Sequence, residues 1–196
     1  IFLGKVFEKK TASAAQASAQ PAVQPAAQQA PQTAETKQAE EQAMDEERVE
    51  IYPCAAGTVK NISQSRDASF AAKTMGDGIV IEDHDGTVCA PCDGTVSFVF
   101  PSRHAVGVTT DNGAGILIHC GIDTVKLDGE GFECFVQEGQ RVKKGELLIR
   151  FDEPAVRAKG YDTEIMMTIE PCDGVEVSVS ADGQSGNGDV IAVAEK

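Results

Sequence analysis

The sequence predicts an all-β fold, an antiparallel β-sandwich or barrel-sandwich, preceded by a linker with no fold of its own. Two observations predict the sandwich. From Val49 onward, short runs rich in Val, Ile, Thr and Phe are broken by Gly, Asp and Pro every eight to twelve residues. The pattern Pro-Cys, then Gly, then Val also recurs at Pro53–Val59, Pro91–Val96 and Pro171–Val175. In each echo Pro opens an extended entry, Gly turns the chain, and a strand follows. Such echoes suggest related half-motifs packed face to face.

Residues 1–10, IFLGKVFEKK, can place Ile1, Leu3, Val6 and Phe7 on one helix face, with Lys5, Lys9 and Lys10 elsewhere. This is a short amphipathic stretch or the tail of a preceding segment. The chain begins with Ile, so we read it as a fragment or a processed product. Residues 11–48 form the linker. Ala and Gln supply 20 of the 33 residues from 11 to 43, with Pro21, Pro25 and Pro31 among them. Almost nothing there is large and apolar, so burial cannot offset chain entropy. Segments of this composition tether domains and keep them apart.

Residues 49–196 carry the folded domain. The strand candidates run in order through GIVIED, GTVSFVF, AVGVTT, GILIHCGI, ELLIRFD, EIMMTIE and VEVSVS. Pro154–Lys159 is the one modest helix candidate. The chain has no Trp and 5% aromatic residues, so its core must be mostly aliphatic. No run of about 18 apolar residues exists to span a membrane. The net charge of −14 argues against a nucleic-acid partner and suits one with a basic face.

Six cysteines invite a metal or disulfide reading. Cys89 and Cys92 have CxxC spacing, but there is no second close pair for a zinc ribbon. A redox CxxC wants a strand-to-helix junction, and Asp93-Gly-Thr-Val96 reads as turn then strand. Most of the cysteines are therefore read as small apolar residues in a reducing compartment. His84, in Glu82-Asp-His-Asp-Gly86, is read as solvated surface.

The chemistry concentrates in HAVGVTTDNGAGILIH, residues 104–119. Asn112-Gly113 is a strong hairpin signal, so the two flanks should pair antiparallel. His104 and His119 share a face if the loop has an even number of residues. Their Cβ atoms would then lie about 5 Å apart if directly opposite and about 7–8 Å if diagonal. An odd loop would put them on opposite faces. Two close imidazoles can hold a metal with further ligands, act as base and partner, or carry and steady a phosphoryl group. They can also simply fill a sheet face. Leu117 and Ile118 make His119 the end of an apolar strand, Ser102 offers a hydroxyl, and Gly107 thins the neighbouring strand. Gly121 removes bulk where another molecule could approach. This suits docking of a protein around a transferable group.

At these residues the chain resembles the glucose-type enzyme IIA family of the bacterial sugar phosphotransferase system. The resemblance covers about residues 50–195. It rests on Gly76-Asp-Gly-Ile79, Ala90-Pro91, Asp93–Val96, His104-Ala105, the Asp-Asn-Gly turn, Ile116–Val125, Gly129-Glu-Gly-Phe132 and Glu138–Val142. It implies an antiparallel sandwich of the duplicated-hybrid-motif type. It also implies that His119 takes a phosphoryl group through Nε2 from the phosphocarrier protein HPr and passes it to a cysteine of a permease IIB domain. By the same resemblance His104 steadies the phosphate, and Ser102 orients the site where relatives usually have Thr. Asp67 and Asp123 would face basic residues of HPr, with Phe70, Val106 and Leu117 as further partner-facing residues. No cofactor is required, although some relatives hold zinc between the two histidines. The module would be cytoplasmic and tethered to a membrane permease through the linker.

Three departures stand out: Cys120 where a larger apolar residue is usual, Gly115 where Glu is common, and Ile165 in place of Pro. Strand alternation turns Cys120 away from His119. Other readings have less behind them. A lysostaphin-type zinc peptidase needs a His-x-His that is absent. A biotinyl or lipoyl carrier needs a Lys where Glu164-Ile-Met-Met-Thr168 has none. A purely regulatory binding module on the same fold stays open.

Overall fold

The computed structural model describes residues 48–180 and 189–196. The amphipathic stretch and the linker up to residue 47 lie outside the described residues. The first strand begins at Arg48, one residue inside the expected linker. Strands follow in the order β1 (Arg48–Ile51), β2 (Thr58–Asn61), β3 (Asp77–Glu82), β4 (Thr87–Cys89), β5 (Gly94–Val99), β6 (Ala105–Thr110) and β7 (Gly115–Cys120). Then come β8 (Phe132–Cys134), β9 (Arg141–Val142), β10 (Leu147–Phe151), β11 (Ile165–Glu170), β12 (Glu176–Val179) and β13 (Ala192–Glu195).

Seven strands form one sheet in the order β2-β3-β11-β7-β6-β5-β9, with smaller sheets β1-β13-β12 and β4-β10-β8. Every pairing is antiparallel. The expected all-β antiparallel architecture is what forms. The first two Pro-Cys echoes meet: Tyr52 donates its N–H to the Pro91 carbonyl at 3.0 Å, and Cys89 donates to Cys54 at 2.7 Å. The third lies elsewhere, with the Cys172 thiol 3.8 Å from the Asn112 carbonyl.

Alternation in β7 sets the layout. Ile116, Ile118 and Cys120 point into the main core, and Leu117 and His119 point to the other face. Each fully buried aliphatic side chain there stabilises by about 1.5–3 kcal/mol. The neighbouring strands β3 and β11 are buried on both faces. Ile79, Ile81, Ile165, Met167 and Ile169 join the main core, while Val80 and Met166 join Ile62 and Phe70 in a second cluster. Partly buried Leu117 and Ile122 pack against that cluster.

The cover over this second face is a 3₁₀ turn (Ile62–Gln64) and a four-residue helix, α1 (Ala68–Ala71). The sequence reading had no helix here. A single turn cannot stand alone, so tertiary contacts hold it. Asp67 caps it, accepting from the N–H groups of Ser69 at 2.8 Å and Phe70 at 3.2 Å. The anticipated second helix, α2, runs Glu153–Ala158, capped by Asp152 with Pro154 in its first turn.

His84 is buried, 7% exposed, which corrects its reading as solvated surface. Its Nδ1 accepts the Gly86 N–H at 3.1 Å, and its Nε2 lies 2.7 Å from the Thr163 carbonyl. With Nδ1 an acceptor, the proton sits on Nε2 and donates to Thr163. The imidazole closes a polar turn by filling two backbone groups that burial would otherwise leave unpaired.

Candidate functional site

The two histidines come together by a route that pairing arithmetic did not foresee. Across β6 and β7, Ala105 pairs with His119, Val106 with Ile118 and Thr109 with Gly115. Thr110 donates to the Ala114 carbonyl at 2.9 Å, leaving a connection of Asp111, Asn112 and Gly113. Gly113 takes φ 100°, as a three-residue hairpin with a left-handed position requires. The loop is odd, so strict alternation would put His104 on the core face with Cys120.

His104 escapes that alternation because β6 starts one residue later. Phe100 donates to the Ala105 carbonyl at 3.0 Å and Arg103 donates to Phe100 at 2.8 Å, so Pro101–His104 is a hairpin connection. Arg103 adopts φ 55°, left-handed backbone that turns the chain just before His104. The imidazole centroids of His104 and His119 then lie 4.7 Å apart, at 84°.

Each ring has its own surroundings. Ser102, 5% exposed, places its hydroxyl 2.7 Å from His104 Nδ1. Phe100 sets its ring edge-on at 5.2 Å from the other side. Phe70 lies against His119 at 5.4 Å. His119 Nδ1 is shut off from solvent with no partner at bonding geometry, whereas Nε2 is neither bonded nor sealed. The open edge of the ring is thus the Nε2 edge. Gly107 sits opposite Leu117 and admits the Phe98 ring, which a Cβ there would meet at 2.2 Å. Phe98 in turn supports Phe100, with centroids 6.0 Å apart.

Both imidazoles are held neutral at pH 7. Burial, helped by the neighbouring His119, lowers His104 from 6.5 to about 4. Burial also lowers His119, opposed by the Gly121 backbone and the Asp67 carboxylate. The Gly121 contact falls short of a formed hydrogen bond, since Nδ1 has no partner at bonding geometry.

Of the remaining site residues, Phe70, Leu117 and Asp67 gather around His119. Asp123 lies in the turn beyond β7, exposed, with left-handed backbone and an ion pair to Lys126 at 2.6 Å. Val106 does not fit the partner-facing role. It is fully buried in the main core, because pairing with Ile118 puts it on the sheet's inner face. Gly121 also serves the fold and not an incoming molecule. At φ 77°, a Cβ there would meet the Asp162 carbonyl at 2.7 Å.

Among the described residues no group of three or more His, Cys, Asp or Glu side chains is arranged to hold a metal ion. The two imidazoles supply two donors where zinc takes four. The described residues alone therefore do not complete a four-ligand zinc site. Sequence reading did not single out Phe100, whose ring lies beside His104, or Val125, exposed in the turn beyond β7. An apolar residue on each side of the histidine motif, in segments punctuated by Pro and Gly, was the available signal.

Comparison with known proteins identifies the family to which this fold belongs. The family model described as phosphoenolpyruvate-dependent sugar phosphotransferase system, EIIA 1, matches residues 49–174. A PTS system glucose-specific EIIA component of Bacillus anthracis is 41% identical over 143 residues, covering 71% of this chain and 87% of that protein. A PTS system glucose-specific EIICBA component of Streptococcus pneumoniae is 41% identical over 127 residues, which are 65% of this chain but 18% of that longer protein. The solved glucose permease IIA from Mycoplasma capricolum superposes with a TM-score of 0.64 at 33% identity, covering 74% of this chain and 95% of that one. The chain belongs to the EIIA 1 family of the phosphoenolpyruvate-dependent sugar phosphotransferase system, and is a phosphoryl-transfer module of sugar uptake that accepts its phosphate from HPr.

Proposed function

We propose that His119 is the phosphoryl carrier of this module, reacting through Nε2, and that His104 steadies the transferred group. The observation that carries this reading is the pair of imidazoles 4.7 Å apart, with the Nε2 edge of His119 open and its Nδ1 sealed. A neutral imidazole with its proton on Nδ1 offers the Nε2 lone pair to phosphorus. The N–P bond to the HPr histidine breaks as the N–P bond to His119 forms. In the second step that bond breaks as an S–P bond forms on a cysteine of the IIB domain. Phosphoryl transfer of this kind needs positioning and charge neutralisation more than covalent machinery.

Ser102 sets the tautomer of His104. A hydroxyl donating to Nδ1 leaves the ring proton on Nε2, where it donates to a phosphoryl oxygen. Half-buried Leu117 provides apolar surface beside His119, Phe70 is buried and backs the His119 ring instead of facing a partner, and Asp67 and Asp123 offer negative charge to a basic partner. The Ala/Gln/Pro composition of residues 11–48 supports a tether to a membrane permease, with the folded domain from residue 49 working in the cytoplasm. The longer EIICBA relatives support the same arrangement. A zinc ion between the two histidines would need its remaining ligands from outside the described residues, such as water or a partner.

Incubation with phosphoenolpyruvate, enzyme I and HPr should place acid-labile phosphate on the chain. Loss of the label in His119→Ala supports the assignment, and retention of it overturns it.

A further inference from the structure

Glu164 is a carboxylate with no water around it: the residue is 1% exposed. A buried carboxylate is tolerated only when its oxygens are filled. Here one short segment fills them. The Ser65 hydroxyl and the Arg66 N–H, at 3.0 Å, donate to Oε1, and Arg66 Nε donates to Oε2 at 2.8 Å. The rest of the Arg66 guanidinium goes to Asp162 at 2.9 Å and Glu82 at 3.0 Å. One cation thus serves three carboxylates and has no charge left over for an incoming phosphate.

What these bonds hold is the chain just before α1. That segment leads into Asp67, whose charge acts on His119, and Phe70, whose ring lies 5.4 Å from it. The backbone of Glu164 holds the opposite side. Its carbonyl accepts the Gly121 N–H at 2.9 Å, and the Asp162 carbonyl accepts the Ile122 N–H at 3.1 Å. Side chain and main chain of one residue therefore fix two flanks of the same imidazole. Glu164 touches neither imidazole in this network, so its action runs through the groups it holds.

We infer that Glu164 is a positioning residue for phosphoryl transfer, holding α1 and the Gly121 backbone in register about His119 so that its open edge faces the donor. This deepens the reading of His119 as acceptor and rests on it. Reacting groups lose rate steeply when misplaced by about 1 Å.

The test compares wild type, Glu164→Gln, Ser65→Ala and Glu82→Gln. Transfer from phospho-HPr is followed by rapid quench, and the His119 ring by NMR before phosphate is added. Glu164→Gln keeps the size of the side chain but turns an amide toward Arg66. It should still label fully, with the rate constant for transfer in the bound complex down about tenfold, KM for HPr little changed, and the His119 ring resonances displaced as Phe70 moves. Ser65→Ala should show a smaller change of the same kind. Glu82→Gln, which leaves Ser65–Asp67 held, should match wild type.

Unmoved His119 resonances and wild-type transfer in Glu164→Gln would overturn the positioning role, even if its melting temperature fell. Where Glu164→Gln does not fold, Ser65→Ala decides by the same two readouts. A wild-type chain that takes no label overturns the acceptor reading instead, a result distinct from slow labelling confined to the variants.

Discussion

His104 accepts a backbone hydrogen bond from Cys120 at 2.8 Å, yet its ring meets His119 and not the Cys120 thiol. Backbone and side chain thus follow different rules at one residue. The ladder continues through the His104 carbonyl, while the turn before it redirects the imidazole. The geometry of the histidine pair therefore depends on Pro101–Arg103 as much as on the sheet.

The first prediction tests that dependence. Arg103 holds left-handed backbone, which a β-branched residue tolerates poorly. Arg103→Val should destabilise the domain by about 1–3 kcal/mol and slow onward transfer to IIB, with His119 still accepting label. Arg103→Gly should stay near wild type in a phosphate chase. Equal transfer by both variants would show that the turn does not set the pair.

Ser102→Ala should leave His104 Nδ1 buried without its partner. The expected loss is about 1–3 kcal/mol in a denaturant melt, with slower discharge of phosphohistidine to IIB. Ser102→Thr restores the hydroxyl and should recover most of the rate.

The pH dependence follows from the depressed imidazoles. An unfolded histidine titrates near 6.5, and the folded protein holds His104 at about 4 and His119 below its ordinary value. Between those values the unfolded chain binds more protons, so stability is full above about pH 6.5 and falls toward pH 4. Melting temperatures at pH 7.5 and 5 check this, and NMR should find His104 still neutral at pH 5.5. A His104 midpoint near 6.5 would sink it.

Val106 and Leu117 separate core from surface. Val106→Ala opens space in the main core and should cost about 2 kcal/mol with KM for HPr unchanged. Leu117→Ala, on the half-buried face beside His119, should raise KM for HPr with a smaller loss of stability.

The fold class was legible because burial in a sandwich writes itself as alternation, as in Gly115–Cys120. The two histidines were legible as a pair from their place about a turn and from the residues that follow His119. Parity misled because it assumed that the strand reaches His104, and a single left-handed residue ended it sooner. Val106 shows the same limit, since a residue next to the motif can face the core. The Glu164 cluster was not legible, because Arg66 and Glu164 lie 98 positions apart and meet only through the sheet order. His84 looked like surface because its neighbours are polar, and burial there is set by Thr163 and Phe151.

Cys120 follows the proposed phosphohistidine directly in the chain, and cysteine is the very group to which the phosphate is to be delivered. The sheet keeps the two apart. The Cys120 thiol lies fully buried on the inner face, where burial raises it well above its ordinary value and keeps it protonated. Cys54 and Cys92 are likewise buried and pushed up to about 12. A module loaded with a labile phosphoryl group thus carries no internal short circuit at its nearest thiol. The charge can wait for a foreign cysteine, because one pleat of backbone insulates it from its own.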